Sequence, residues 1–544
     1  MYRIDSYLKN RIEEALTKLQ LPEAEISFQV PKLAQHGDLS VNVAMQLAKT
    51  AGRNPRQLAQ EIIQQMELDP QMVSKVEIAG PGFINFFIAP QFLQNMVKEI
   101  LQLGQKFGKQ PGTGKKAQVE FVSANPTGPL TIGHGRQAVL GDTIANILEW
   151  NGFEVVREYY FNNAGRQMRV LGESVRLRYL QLLGEKIDFP EDHYQGAYIE
   201  DIARQIYEQY GDSLKNQPEA EIFKNTAEQV IFEDIKRTLD RLGIHHDVFF
   251  NEKDLYDNGD IAEIISILKE KGLAYEKEGA LWFKATEFGQ EQDRVIVKSS
   301  GEPTYRLPDI AYHRNKLQRG FDLIIDLFGA DHIATYPDVL AGLKALGLDP
   351  SPIRVLIHQF VTLLEGKEKV KMSTRKANFV TLDELVDEVG ADATRWFFLM
   401  RSMESHLNFD LSLAKSQSDE NPVYYNQYAH ARICSILRNA EEQGVKLENP
   451  EAAQHLSHPA ETDLIKKLLE FPDLIERCGS EFTPHALTQY LSEVSTLFHR
   501  FYTECRVLGE APEITQARLA LCQATRTVLA NGFSVLGVSA PERM

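Results

Sequence analysis

Two short stretches of this chain gather residues that could hold a polyphosphate. In QVEFVSANPTGPLTIGHGRQAVLGD, a strand-like run stops at Asn125, Pro126, Gly128 and Pro129, and a helical pattern begins near Ile132. A helix that starts just beyond the end of a strand offers backbone N–H groups and the positive end of its dipole to an anion. Gly133 and Gly135 lack the Cβ that would hold a ligand off the backbone, and His134 stands in the first turn, in reach of a phosphate oxygen. The same letters would also serve a tight strand-to-helix turn with a surface histidine, and so short a motif does not separate the two. In VTLLEGKEKVKMSTRKANFVTLDELVDEVG, Lys367, Lys369, Lys371, Arg375 and Lys376 crowd a loop ahead of a helix near Leu382. Such a loop suits a polyphosphate whose charge grows in a transition state, while a solvated basic loop is the plainer alternative.

The elements that must carry these residues follow from pattern. Leu140, Ile144, Ile147 and Leu148 extend the first helix until Asn151-Gly152 stops it, and FEVVREYYF supplies the next strand. Further runs, DLIIDLFG and IRVLIHQFV, alternate with helical stretches, the mark of a parallel sheet covered by helices. Within residues 111–415, about 166–245 is almost wholly helical and charged and reads as an insertion. Residues 1–110 open with an amphipathic helix, pass through AKTAGRNPRQLAQEIIQQM as another helix, and reach KVEIAGPGFINFFIAP, two strands joined at Gly80-Pro81-Gly82. The Gly- and Lys-rich KFGKQPGTGKK is the best boundary, and from 416 to 544 helical periodicity takes over as a bundle.

Composition narrows the class. At 544 residues the chain exceeds one core, and a prior of about 150 residues per domain gives three or four. With 59 basic and 76 acidic residues the net charge is −17, which argues against a DNA-coating or membrane-surface protein without excluding local phosphate contacts. The segment 1–110 is roughly charge-balanced, a hint that it, rather than the bulk surface, meets RNA. Cys434, Cys478, Cys505 and Cys522 are widely spaced, so neither a zinc site nor a disulfide framework is expected. No apolar run is long enough for a bilayer and the N-terminus has no signal-peptide core, so a cytoplasmic location is expected.

LTIGHGR resembles the HIGH signature of class I aminoacyl-tRNA synthetases, and KMSTR, downstream in the expected order, resembles their KMSKS signature. SANPTGPLTIGHGR, REYYFNNAGRQM, PTYRLPDIAYH, GADH, NPVYYNQYAHARI and the terminal SAPERM resemble the bacterial arginyl-tRNA synthetases more closely still. HGDLSVNVAMQLAK and AGPGFINF are similar to that family's extra N-terminal domain, so the resemblance covers essentially the whole chain. It implies an α/β fold: a Rossmann-type parallel-sheet catalytic domain with helical insertions, an α+β N-terminal domain and an all-α C-terminal anticodon-binding bundle.

The resemblance also implies a reaction and its residues. L-Arginine is activated by ATP with Mg2+ to arginyl-adenylate and pyrophosphate, then passed to the terminal adenosine 2′-hydroxyl of tRNA(Arg), by a protein that is a monomer. His134 should contact phosphate oxygens, Gly133 should let adenine lie close, with Gly135 beside it, and Lys371 should close on pyrophosphate with Met372 and Ser373. Thr131 occupies the first signature histidine's place and Thr374 that of the second lysine, for which Lys369 is the candidate substitute. Asp309, Tyr305 and Glu252 should read the guanidinium, Ser123 and Asn125 the amino and carboxylate ends, and Asp331 and His332 the adenosine. Phe83 and Asn85 should meet the outer corner of the tRNA, and Tyr424, Tyr428 and Arg432 its anticodon arm. Two other readings compete: a non-catalytic RNA-binding paralogue, favoured only by Thr131 and Thr374, and another nucleotidyl transferase, which would need neither end domain.

Overall fold

The computed structural model describes residues 3–163, 165–217, 221–330, 333, 335–366, 368–369, 380–447 and 450–544. The chain begins with α1 (Ile4–Lys18), whose Ile4, Leu8, Ile12, Ala15 and Leu16 form one buried face at helical spacing. Strands β1 (Phe28–Gln29) and β2 (Leu39–Val41) follow. The single helix expected across AKTAGRNPRQLAQEIIQQM is instead two, α2 (Val43–Ala51) and α3 (Pro55–Gln65). Gly52, at φ 63°, ends the first; Asn54 caps the second by accepting from the Arg56 and Gln57 N–H groups, and Pro55 occupies its first turn. Strands β3 (Val73–Ala79) and β4 (Phe83–Ile88) flank the anticipated Gly-Pro-Gly turn and complete an antiparallel sheet in the order β1-β2-β4-β3. Helix α4 (Pro90–Leu103) then leaves this domain for the far end of the chain: Gln94 donates to the Leu456 carbonyl at 2.9 Å, and Asn531 donates to the carbonyls of Gly104 and Phe107.

The middle of the chain is built on β5 (Lys116–Glu120), α5 (Ile132–Trp150), β6 (Glu154–Phe161), the helices α6 (Gly165–Leu182), α7 (Ala197–Tyr210) and α8 (Ile222–Arg241), and β7 (Val248–Asn251). The three helices occupy the stretch that reads in sequence as a helical insertion. After α9 (Glu252–Asp257) and α10 (Asp260–Glu270) comes a small antiparallel sheet of β8 (Ala274–Lys277), β9 (Ala280–Phe283) and β10 (Arg294–Val297), which the sequence reading did not anticipate. Then α11 (Arg306–Gln318), β11 (Leu323–Gly329), α12 (Tyr336–Leu346) and β12 (Ile353–His358) complete a parallel sheet in the order β12-β11-β5-β6-β7. The chain leaves β5 toward β6 on one side and later fills the other side with β11. That reversal opens a crevice beyond the carboxyl end of β5, where α/β proteins place their ligands.

Carboxylates on three neighbouring strands are answered by cations from α11. Lys316, wholly buried, is ion-paired to both Glu120 of β5 and Asp326 of β11. His313 Nε2 lies 3.0 Å from Asp326, and Glu158 of β6 takes Arg319 and the Tyr312 hydroxyl. Buried charge of this kind persists only when it is fully paired, so the cluster fixes how α11 seats on the sheet.

Beyond the sheet, β13 (Val361–Glu365) pairs antiparallel with β14 (Glu368–Lys369) and, across α13 (Leu382–Val389) and α14 (Ala391–Leu399), parallel with β15 (Leu407–Asp410). A short α15 (Leu411–Lys415) leads to the bundle of α16 (Pro422–Glu442), α17 (Pro459–Leu468), α18 (Phe471–Glu481), α19 (His485–Glu504) and α20 (Pro512–Leu536). Arg395 of α14 ties the parts together, donating to Asp142 of α5 and to the carbonyls of Leu242 and Leu536. Among the described residues no helix is long and apolar enough to cross a membrane.

Candidate active site

The strand-to-helix turn after β5 is held from several sides. Val122 and Ser123 adopt positive φ (70° and 40°), a strained path for residues with a Cβ, and the Ser123 hydroxyl secures it by donating to Glu120 at 2.8 Å. From the insertion, the Tyr198 hydroxyl donates to the Thr127 carbonyl at 2.6 Å, over the place where a Cβ on Gly128 would stand. Asn125 donates to Gln167 of α6 at 2.5 Å.

Thr131 caps α5 reciprocally with His134. The Thr131 N–H donates to His134 Nδ1 at 3.2 Å, and its hydroxyl lies equally close. With Nδ1 accepting, the neutral ring carries its proton on Nε2, the tautomer that presents an N–H donor. Thr131 therefore fixes the orientation of the His134 ring. Among the described residues, a Cβ on Gly133 would find only the Thr131 hydroxyl within 4 Å, which leaves room for a ligand over the backbone there. Gly135 differs from expectation: it is buried, and a Cβ there would strike Leu382 and Phe398. Its role is close packing of α5 against α13 and α14, not ligand approach.

The acids assigned to arginine come from the carboxyl side of the same sheet. Glu252, directly after β7, opens α9 and is buried; Asp309 sits in the first turn of α11. Burial pushes the Glu252 carboxyl up to about 7; the Tyr160 hydroxyl beside it works in the opposite direction, and the charge of Asp309 adds to the rise. Two carboxylates are thus brought together where, among the described residues, no cation is seen to neutralise Glu252, an arrangement suited to a cationic ligand. The Asp309 carbonyl is held at 2.7 Å by His313 Nδ1, which anchors the turn to the buried cluster. Tyr305, by contrast, is 73% exposed at the head of α11. Tyr256 lies near it, its hydroxyl pushed up to about 12 chiefly by burial and then by the charges of Glu252 and Asp309.

Other residues assigned from sequence are distributed more widely. Lys369 is exposed on β14, paired in register with Leu364. Lys371, Met372, Ser373, Asp331 and His332 lie outside the described residues. Asn85 is buried in mid-strand, its amide oxygen accepting from the Ser40 hydroxyl at 2.6 Å, while Phe83 at the strand's start is half-buried. Asn85 is therefore a sheet residue whose side chain is already engaged, and Phe83 is the more accessible of the two. Tyr424 and Tyr428 stack with centroids 6.3 Å apart and planes 6° from parallel, and Tyr428 continues the stack onto His499 of α19. The Arg432 guanidinium lies 4.5 Å over Tyr502 and donates to the Tyr428 hydroxyl. This half-buried ladder offers both a stacking face and a cation.

Sequence reasoning missed Tyr160, Glu120 and the α11 cluster. A usable signal existed for the first two: the last residues of parallel strands line the crevice, and these stand at or near the ends of β6 and β5.

Known proteins match the chain from end to end. Residues 6–88 match the arginyl tRNA synthetase N terminal domain, 96–403 the catalytic domain of class I (R) tRNA synthetases, and 426–544 the DALR anticodon binding domain. The arginine–tRNA ligase of Desulfotalea psychrophila is 53% identical over 95% of this chain and 94% of its own length. That of Chlorobium phaeobacteroides is 54% identical over 99% of this chain and 100% of its own. The solved arginyl-tRNA synthetase of Thermus thermophilus, at 23% identity, superposes with a TM-score of 0.78 over 99% of this chain and 100% of that one, and so shares its fold. With three consecutive domains and full-length relatives in agreement, the chain belongs to the arginyl-tRNA synthetases.

Proposed function

We propose that this chain joins L-arginine to tRNA(Arg) at the expense of ATP, and that the pairing of Glu252 with Asp309 carries the choice of arginine. Mg-ATP is the substrate of the first step. The arginine carboxylate oxygen attacks the α-phosphorus, the bond to the bridging oxygen breaks, and pyrophosphate leaves with the electron pair. Protein groups need only align the reactants and stabilise charge. His134 Nε2–H and the α5 backbone N–H groups face the phosphates, and adenine lies over Gly133. By resemblance, Lys371, Met372 and Ser373 lie against the nucleotide, Lys369 supplies the charge that Thr374 lacks, and Asp331 and His332 hold the adenosine.

Glu252 and Asp309 accept from the guanidinium, with Tyr305 closing the mouth. Lysine fits poorly, since one ammonium cannot engage both acids as a planar fork does. Ser123 and Asn125 hold the amino and carboxylate end. In the second step the 2′-hydroxyl oxygen of the terminal adenosine attacks the arginyl carbonyl carbon and releases its proton, the carbonyl–oxygen bond of the mixed anhydride breaks, and AMP departs with the electron pair. The Tyr424–Tyr428–Arg432 face and Phe83 contact the tRNA, and the enzyme works as a cytoplasmic monomer.

The direct test is aminoacylation of tRNA(Arg) with arginine, lysine and citrulline. Charging with arginine alone supports the reading; tRNA binding without ATP consumption would replace it with the paralogue, and ATP turnover indifferent to tRNA with another nucleotidyl transferase.

A further inference from the structure

One buried polar atom beside the acid pair is only half satisfied among the described residues. The Tyr160 hydroxyl is almost wholly enclosed beside the Glu252 carboxyl, the acceptor toward which its proton is directed, and among the described residues no donor reaches its oxygen. A buried polar oxygen with no donor costs about 1–3 kcal/mol, so one set beside a ligand crevice points to a ligand that donates to it. The ring cannot swing away to find another partner. It stacks on Phe250 of β7 with planes 13° apart and meets Tyr312 of α11 at 4.4 Å, while Tyr312 is itself pinned by its hydroxyl to Glu158. The Tyr160 N–H donates to the Ser123 hydroxyl at 3.1 Å, so the same residue touches the group assigned to the other end of the substrate. The charged groups that bear on the hydroxyl are Glu252 from α9, Asp309 from α11 and Glu120 from β5, all acidic.

We propose that the Tyr160 hydroxyl is a third oxygen of the arginine pocket, accepting from a guanidinium N–H while donating its own proton to Glu252. This rests on the assignment of Glu252 and Asp309 to the guanidinium. A planar guanidinium carries five N–H donors in a fixed fork, more than two carboxylates at one end readily satisfy, and a fixed phenol oxygen takes one of the remainder. The phenol also stabilises the ionised form of Glu252, which arginine needs and which the empty pocket disfavours. Tyr160 is therefore a specificity-determining residue of the pocket rather than a filler of the sheet.

The test is Tyr160→Phe, which keeps the ring and its stacking, measured beside Glu252→Gln in aminoacylation of tRNA(Arg). The expected result for Tyr160→Phe is an arginine KM raised about tenfold, the size of one lost hydrogen bond to a charged group, with kcat and the KM for ATP within about twofold. The pH dependence of the arginine KM supplies a readout that a structural role would not move. The groups facing Glu252 are Tyr160 of β6, Asp309 of α11 and Tyr256 of its own helix. Loss of the hydroxyl should shift the inflection to higher pH. If Glu252→Gln raises the arginine KM and Tyr160→Phe changes neither KM nor inflection, the proposal fails while the pocket stands. If neither substitution moves the arginine KM, the pocket assignment itself falls and the proposal with it. Should Tyr160→Phe fold poorly, arginine titrated calorimetrically onto its folded fraction decides the same point: unchanged affinity overturns the proposal.

Discussion

Thr131 and Thr381 lie opposite one another in an antiparallel bridge, and the Leu382 N–H donates to the Leu130 carbonyl at 2.8 Å. Each threonine caps a helix, Thr131 at α5 with His134 and Thr381 at α13 with Glu384. The chain leaving the second signature is thus fastened to the turn that carries the first. Gly135 makes the fit possible, since a side chain there would collide with Leu382.

Replacing Thr131 by valine keeps the shape and removes the hydroxyl. The cap should weaken by about 1 kcal/mol, and arginine activation should slow about tenfold as His134 loses its fixed orientation. The arginine KM should hold, and Thr131→Ser should restore the rate. Denaturant unfolding and pyrophosphate-exchange rates read the two effects separately.

The acid pair predicts a pH dependence with a definite sign. Glu252 in the empty pocket titrates at about 7, and arginine needs it ionised, so the arginine KM should fall as pH rises from about 6 to about 8. Glu252→Gln should raise the KM and flatten the profile. Stability runs the other way: because the folded pKa is raised, the group's favourable contribution is complete below its unfolded value and is lost as pH climbs through about 7. Thermal midpoints with and without arginine at the two ends of that range check this, and arginine should stabilise more at the higher one.

Lys316 between Glu120 and Asp326 should be costly to remove. Its charge holds Asp326 well below the usual carboxylate range despite full burial. Lys316→Met leaves two carboxylates facing each other and should cost about 3–5 kcal/mol. Adding Asp326→Asn should recover part of that loss. Urea denaturation of the two variants tests the coupling.

The aromatic ladder on α16 and α19 should matter to tRNA alone. Tyr428→Ala and Arg432→Ala should each raise the tRNA KM, by about 1–3 kcal/mol for a lost stacking partner, and leave the KM values for arginine and ATP unchanged. Aminoacylation at varied tRNA concentration measures it.

Much of this was legible in sequence, for physical reasons. Buried parallel strands are long runs of apolar residues, and Pro126, Gly128 and Pro129 could not continue either strand or helix, so β5, β6, β11, β12 and the start of α5 stood out. The β3–β4 pair was equally plain from its Gly-Pro-Gly turn. The split between α2 and α3 was hidden because only Gly52 and Asn54 mark it within an otherwise helical pattern. The β8–β10 sheet was hidden because its four-residue strands lie among charged residues. Glu252 and Asp309 have no shared spacing to betray them; only the order of strands brings the ends of β7 and α11 together. Tyr160 read as one more strand aromatic, since the alternation that turns Tyr159 to one face and Tyr160 to the other carries no sign of which face meets the crevice.

The most direct measurement is ATP–pyrophosphate exchange driven by arginine or by lysine, with and without tRNA(Arg), in the wild type and in Glu252→Gln. Exchange with arginine and not lysine, dependent on tRNA as in the family and lowered at sub-saturating arginine by the substitution, is the predicted result. Exchange indifferent to the amino acid, or unchanged by Glu252→Gln, would contradict the account of how this pocket chooses arginine.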